Sequence, residues 1–420
     1  MAYTLCQKVR DLTPYRPVSG DFPIRLDANE SCFDLNRPDS FPSEIRPVRD
    51  QVVEQIQKNL TEIAYNRYPD PLCTGVRQAF ASRFQVPMEQ VTAGNGLDEL
   101  ISLICGCLLE KGSRLVSAEP DFSMYRFYGD LFELETRSWQ KAPDLSIDPV
   151  KLAAYAKEQK AGMLIFSNPC NPTSLTLSRQ KVQSLIELLP DTLIVVDEAY
   201  MEFSPNESVL DLTGQYDHLI VLKTCSKALG LAGIRLGFAV ADKTITKALQ
   251  AVKSPYNVNA LSQAVGKAVL ENSRLGEFCA KSLVDSRRAL QTGIESLLVK
   301  KTQLETVWPS QTNFIFVKTP AAAEISRALQ KEWIAVRQMD GFLRFTAGKQ
   351  SVAQSARKGG AIKDAKIAIV PKDKGNGYFY PAGSGWRWSG RDFYRYRLFR
   401  SHAHSASRPF RDGFDRPRQR

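Results

Sequence analysis

DTLIVVDEAY, residues 191–200, is an almost wholly apolar run of aliphatic and β-branched residues that stops at Asp197. A run with no polar face reads as a strand covered on both sides, the habit of a parallel sheet between helices. The pattern repeats outward from it. SRLVSAEP (113–120), AGMLIFSNP (161–169) and HLIVLKT (218–224) are short β-rich runs ending in turn residues, and LETRSW (134–139) fits a further strand. VRDQVVEQIQKNL (48–60) and LDELISLICGCLLEKG (97–112) read as amphipathic or buried helices. Strand and helix alternating from about residue 47 to 250 predict an α/β fold with a mostly parallel sheet.

Beyond SPYNVNALSQAVGKAVL (254–270) the pattern changes. A long helical stretch over roughly 258–300 precedes TNFIFVKT (312–319), a helix near 321–331, WIAVRQM (333–339) and GFLRFTAG (341–348). That order predicts a smaller α+β domain. The expected division is an N-terminal arm (1–30), a large domain (31–250), a small C-terminal domain (251–349) and a tail (350–420) whose composition is foreign to the fold.

The 420 residues carry a net charge of +11, which ordinarily directs attention to acidic partners. The excess sits in residues 350–420, where 16 Lys/Arg meet 5 Asp; the rest of the chain is balanced. RDFYRYRLFRSHAHSASRPF (391–410), with arginines between aromatics, taken alone reads as a nucleic-acid-binding arm. Eight scattered cysteines, with only a CxC at 105 and 107, spell no zinc or redox framework. No apolar run is long enough to span a membrane. The start, MAYTLCQKVRDLTPY, lacks signal-peptide order. The expectation is a cytoplasmic protein with reduced thiols, no metal, no membrane partner and no nucleic-acid partner.

Four motifs fall where an α/β sheet puts function, beyond the carboxyl ends of strands. In TAGNGLDELISLI (92–104) two glycines precede a helix, so the N–H groups of Leu97 and Asp98 could receive a phosphate; a plain glycine turn uses the same residues. SNPCNPTS (167–174) fixes a tight loop around Asn171, or is simply an Asn-Pro turn. Asp197 closes its apolar strand, where a buried carboxylate needs a cation, a metal or a protonated ring, or simply caps a helix. In TCSKALGLAGIRLG (224–237), Ser226-Lys227 ends a strand and Arg235 follows; Lys227 could form a Schiff base or sit idle at a turn.

Taken jointly, Asn171, Asp197, Tyr200, Ser226-Lys227 and Arg235 supply what pyridoxal phosphate needs. The chain resembles the fold-type I pyridoxal phosphate aminotransferases, and within them the histidinol-phosphate aminotransferases, from LTPYRP (12–17) through FLRFTAG (342–348). The resemblance implies that Lys227 carries pyridoxal 5'-phosphate covalently and shuttles the proton, while Asp197 keeps the ring nitrogen protonated. It implies that Asn171 and Tyr200 bond the ring hydroxyl and that Phe122, in EPDFSMY, stacks on the ring. Leu97, Asp98, Ser226 and Arg235, with Thr224 nearby, would hold the phosphate. Tyr68, in NRYPDP, would reach the cofactor of a second subunit, which implies a homodimer. Arg344 would grip the carboxylate of the amino donor, and Tyr15, Asn29 and Arg337 would line the site for the substrate's phosphate. Cys170 and Ser174 depart from the usual Asn and Gly of their loop, but neither position lends a side chain to the chemistry. His218 lies in a connector and the other two histidines in the tail, so the lysine must do the proton work.

The expected reaction is transamination between L-histidinol phosphate and 2-oxoglutarate, giving imidazole-acetol phosphate and glutamate in histidine biosynthesis. L-threonine-O-3-phosphate decarboxylase is the enzyme alternative, and nucleic-acid binding through the tail the non-enzymatic one. The tail takes the place of the family's C-terminal helix, as a shifted reading frame would make it. Read one base later, one permitted encoding of residues 394–403 yields a string resembling the metal-binding signature of the imidazoleglycerol-phosphate dehydratases. Sequencing the coding DNA tests that reading.

Overall fold

The computed structural model describes residues 3–10, 12, 18–298 and 303–348. The basic tail, and with it the reading-frame hypothesis, lies outside them. A one-turn helix α1 (Gln7–Arg10) and strand β1 (Ile24–Leu26) lead into helices α2 (Arg46–Thr61) and α3 (Thr74–Phe84). The alternating region follows as β2 (Val91–Gly94), α4 (Leu97–Cys107), β3 (Arg114–Glu119), α5 (Met124–Leu131), β4 (Glu135–Gln140), α6 (Pro149–Glu158), β5 (Met163–Ser167), α7 (Arg179–Leu188), β6 (Leu193–Asp197), β7 (Leu219–Thr224) and β8 (Gly237–Ala241). Helices α8 (Lys243–Val252), α9 (Ala260–Leu270) and α10 (Ser273–Leu298) precede β9 (Thr306–Val307), β10 (Phe314–Lys318), α11 (Ala322–Lys331), β11 (Ile334–Met339) and β12 (Phe342–Thr346). Among the described residues no helix is long and apolar enough to cross a membrane.

The strands of the alternating region form one seven-stranded sheet, ordered β2-β8-β7-β6-β5-β3-β4. Only β8 runs antiparallel to its neighbours, so the carboxyl ends of β2, β3, β5, β6 and β7 share one edge. The apolar habit of β6 follows from its place in the middle. Ile194 and Val196 join one cluster with Leu152, Val182 and Leu185 of α6 and α7. Val195 joins the opposite cluster with Ile101 and Ile104 of α4. All of these are fully buried, and each such side chain contributes roughly 1.5–3 kcal/mol of transfer free energy.

A second, five-stranded sheet is ordered β1-β11-β12-β10-β9. Leu290 and Ile294 of α10 and Leu329 of α11 pack with Ile315, Val336, Leu343 and Phe345 of its strands. Two details differ from the sequence reading. Residues 24–26 of the expected arm are a strand, paired in parallel with β11 (Ile24 with Ile334). The helical stretch after residue 258 is two helices, because the Asn272 side chain accepts the Leu275 N–H at 3.1 Å and starts α10 afresh.

Candidate active site

Asp197 ends β6 opposite Ser167 at the end of β5 and Leu222 of β7, with its carboxylate under the sheet edge. It is buried; Oδ1 accepts the Ala199 N–H at 2.9 Å and Oδ2 accepts the Tyr125 hydroxyl at 2.7 Å. Burial pushes its carboxyl up to about 6, with Asp121 and Asp98 adding to the effect and the bonds from Tyr125 and Ala199 opposing it. Tyr125 is 1% exposed, and its phenol is pushed well above the usual range by burial and by Asp197. Sequence reasoning passed over this tyrosine. It sits three residues beyond Phe122 in EPDFSMY, and nothing local signals a partner 72 positions away.

Lys227 and the glycine turn before α4 meet farther along the same edge. The Lys227 ammonium donates to the Ala28 carbonyl at 3.1 Å and lies 5.8 Å from the Tyr200 ring centroid. Arg235 Nη1 donates to Ser226 Oγ at 3.4 Å, and Nη2 donates to Asp98 Oδ2 at 3.2 Å. The Ser226 N–H in turn donates to Thr224 Oγ1 at 3.0 Å. Gly96, at φ +82°, brings its backbone so near that an added Cβ would stand 2.6 Å from Arg235 Nη2. A hydroxyl and a guanidinium therefore lie at the N-terminus of an eleven-residue helix, whose first N–H groups, those of Leu97 and Asp98, have no partner within the helix.

Tyr200 connects this edge to the second sheet. Its hydroxyl accepts the Asn29 side-chain N–H at 2.9 Å, and its ring meets Phe314 edge-on at 5.3 Å. Asn29 is 1% exposed, at φ +56°, with its backbone N–H on Thr346 Oγ1. Its amide therefore stands behind Tyr200 rather than on the open face. Arg344 Nη1 donates to Asn171 Oδ1 at 2.6 Å and Nη2 to the Asp27 carbonyl at 2.7 Å. The first bond assigns the Asn171 amide and turns its NH₂ outward as a donor. Arg337 stands directly across the β11–β12 ladder from Arg344, so both guanidiniums leave the same face. Phe122 packs edge-on to Tyr125 at 5.5 Å. Tyr68 is 79% exposed and stacks on Tyr256 at 4.4 Å. Tyr15 lies outside the described residues.

A second group missed by sequence reasoning lies behind the Asn171 loop. Asp121 accepts the Ser167 hydroxyl and the Ser167 N–H, and Ser167 Oγ in turn accepts the Asn171 N–H at 3.1 Å. Lys141, its side chain 1% exposed, lies 3.9 Å from Asp121, donates to the Pro120 carbonyl at 2.6 Å and lies 3.1 Å from Cys170 Sγ. Burial pulls the lysine down, but Cys170 and Asp121 hold it net above its ordinary value. Cys170 therefore does supply a contact, to a buried cation. A lysine in the polar run WQKAPD gave no sign of being buried.

The donor set fits the group that the resemblance implies: a buried carboxylate for a protonated ring nitrogen, a lysine beside Tyr200, and a hydroxyl and a guanidinium at a helix N-terminus for a phosphate. The model for aminotransferase class I and II matches residues 24–357. A histidinol-phosphate aminotransferase of Clostridium novyi is 32% identical over 378 residues, 89% of this chain and 97% of its own length. One from Pyrococcus furiosus is 32% identical over 82% of this chain and 93% of its own. The crystal structure of histidinol-phosphate aminotransferase from Sinorhizobium meliloti in complex with pyridoxal-5'-phosphate superposes with a TM-score of 0.72, at 20% identity, over 88% of this chain and 96% of that one. The chain belongs to the class I and II aminotransferases, and within them to the histidinol-phosphate aminotransferase family.

Proposed function

We propose that the protein transfers the amino group of L-histidinol phosphate to 2-oxoglutarate, giving imidazole-acetol phosphate and glutamate, by a ping-pong sequence on pyridoxal 5'-phosphate. The observation that carries the substrate assignment is the facing pair Arg337 and Arg344. Two guanidiniums side by side on one face offer charge-assisted hydrogen bonds to an anion, and both substrates are anions. The 32%-identical relatives bear the transaminase name, which leaves the threonine-phosphate decarboxylase reading unfavoured.

When bound, the cofactor supplies an electrophilic carbonyl and an electron-withdrawing ring. The rest falls to the chain's own residues. Asp197 is the anion that keeps a ring nitrogen protonated. Asn171 and Tyr200 donate to the ring hydroxyl, with Asn29 acting through the tyrosine. Ser226, Arg235 and the N–H groups of Leu97 and Asp98 hold the phosphate, with Thr224 orienting the Ser226 backbone. Phe122 covers the ring face. Lys227 Nζ, half-buried beside Tyr200, takes the α-proton of the amino donor and returns it. Arg344 grips the α-carboxylate of glutamate, while Arg337 and Tyr15 meet the phosphate of histidinol phosphate. Tyr68 completes the site of a second subunit in a cytoplasmic homodimer, each chain comprising a large domain over about 31–250 and a small one over about 251–349.

The test is product analysis. Incubation with L-histidinol phosphate and 2-oxoglutarate yields glutamate and imidazole-acetol phosphate; release of CO₂ from threonine phosphate in its place would replace this reading. Lys227→Ala is expected to lose the cofactor's near-visible absorbance band and to slow turnover by about 10²–10⁴-fold.

A further inference from the structure

Asp197 has to satisfy two opposed demands. It must lie out of water, so that its attraction for a protonated ring nitrogen is not screened, and it must stay ionised there. Burial alone defeats the second demand. Charged and titratable neighbours make it harder: Asp121, from the turn between β3 and α5, and Asp98, from α4, both favour the protonated form. Two groups oppose them. One is the Ala199 N–H, fixed by the turn after β6. The other is the hydroxyl of Tyr125, at 2.7 Å.

The hydroxyl has few alternatives. Tyr125 is the largest fully buried side chain in the molecule's described part, packed with Leu100, Ile101 and Ile104 of α4 and braced edge-on by Phe122. A phenol in that setting keeps its proton, because burial and the neighbouring Asp197 both disfavour the phenolate. It is therefore a permanent donor, and the carboxylate is its acceptor. We propose that Tyr125 is a positioning residue for Asp197: its hydroxyl holds Oδ2 as an ionised acceptor, in one orientation, for the ring nitrogen. The cofactor clause rests on the function proposed above; the hydrogen bond and its effect on Asp197 belong to the cofactor-free protein as well.

The experiment uses full-length protein stripped of cofactor. The Asp197 carboxyl is followed against pH by infrared difference spectroscopy on ¹³C-aspartate-labelled protein, with Asp197→Asn identifying its signal. Tyr125→Phe is expected to raise the midpoint by about one pH unit, a tenfold gain in proton affinity. Site-specific 3-fluorotyrosine at position 125, a stronger donor of nearly the same shape, is expected to lower it, which keeps the idea testable if the phenylalanine variant folds poorly. Cofactor affinity in Tyr125→Phe is expected to fall most, by up to about tenfold, at and below about pH 6, and to converge on the parent value as the pH rises past about 8. A midpoint that moves with neither replacement overturns the proposal, as does an affinity loss equal at every pH, which is what a packing role alone would give. Failure of the cofactor assignment would appear separately, as no absorbance band in the parent protein, while the Asp197 midpoint remained readable.

Discussion

At Gly96 the backbone has φ +82° and ψ 174°, a region that side chains other than glycine's enter at a strain of about 1–3 kcal/mol. An alanine there would also drive its Cβ to 2.6 Å from Arg235 Nη2 and displace the guanidinium. Gly96→Ala is thus expected to weaken cofactor binding by roughly ten- to hundredfold, read by titrating the cofactor-free protein. Asp197, at the end of β6, makes a prediction about pH. Asp197 in the fold titrates at about 6 against an ordinary 3.8, so the folded state binds the extra proton between those values. Its contribution to stability is fully present below about pH 4 and is lost as the pH rises through about 6, a swing of about 3 kcal/mol at most for two units. Other carboxyls, Asp211 beside Arg179 among them, are shifted down and titrate with the opposite sense. The comparison is therefore between the parent and Asp197→Asn: without cofactor, the asparagine variant gains relative stability on going from pH 4 to 7, by thermal unfolding.

Elements decide how far such residues could be foreseen. The apolar runs of β3, β5, β6 and β7 identify themselves because the middle of a sheet covered on both faces leaves each of their residues a core position, and Asp197 stands out as the acid that interrupts one. The glycine turn, the Asn171 loop and the Ser226-Lys227 strand end are legible for the same reason: each is a break in a strong local pattern. β1 was not legible, since three residues have no period and its partner β11 lies about 310 residues on. Tyr125 and Lys141 were hidden differently: their partners come from other strands, and residue type predicts exposure for a lysine in a polar segment. The Lys141 group gives a prediction at this scale, because it ties the end of β3 to the loop after β5. Lys141→Met leaves Asp121 buried without its cation and is expected to destabilise the protein by about 3–5 kcal/mol. Lys141→Met combined with Asp121→Asn should recover part of that, because no buried charge is then left alone. A double variant no more stable than the single one, in denaturant unfolding, would show that the pair's charge is not what matters.

For the molecule as a whole, the exposure of Tyr68 is the informative fact. Tyr68 is 79% exposed, and the ring against it, Tyr256, is 44% exposed; Tyr65, 75% exposed, lies in the same loop. Three exposed tyrosines in such a setting fit a surface that another chain covers. If each site takes its lysine from one subunit and its tyrosine from the other, then two defective chains can repair each other. In a mixed dimer of Lys227→Ala and Tyr68→Ala subunits, one site would pair an intact Lys227 with an intact Tyr68, and the other would carry both defects. Coexpression with two different tags and tandem purification isolates that hybrid. Its expected turnover is near half that of the parent per dimer, well above either homodimer. Its cofactor occupancy is expected to reach one per dimer. Turnover no higher than the mean of the two homodimers would show that Tyr68 serves its own chain, and the two-subunit site would fall while the assignments of Lys227 and Asp197 stood.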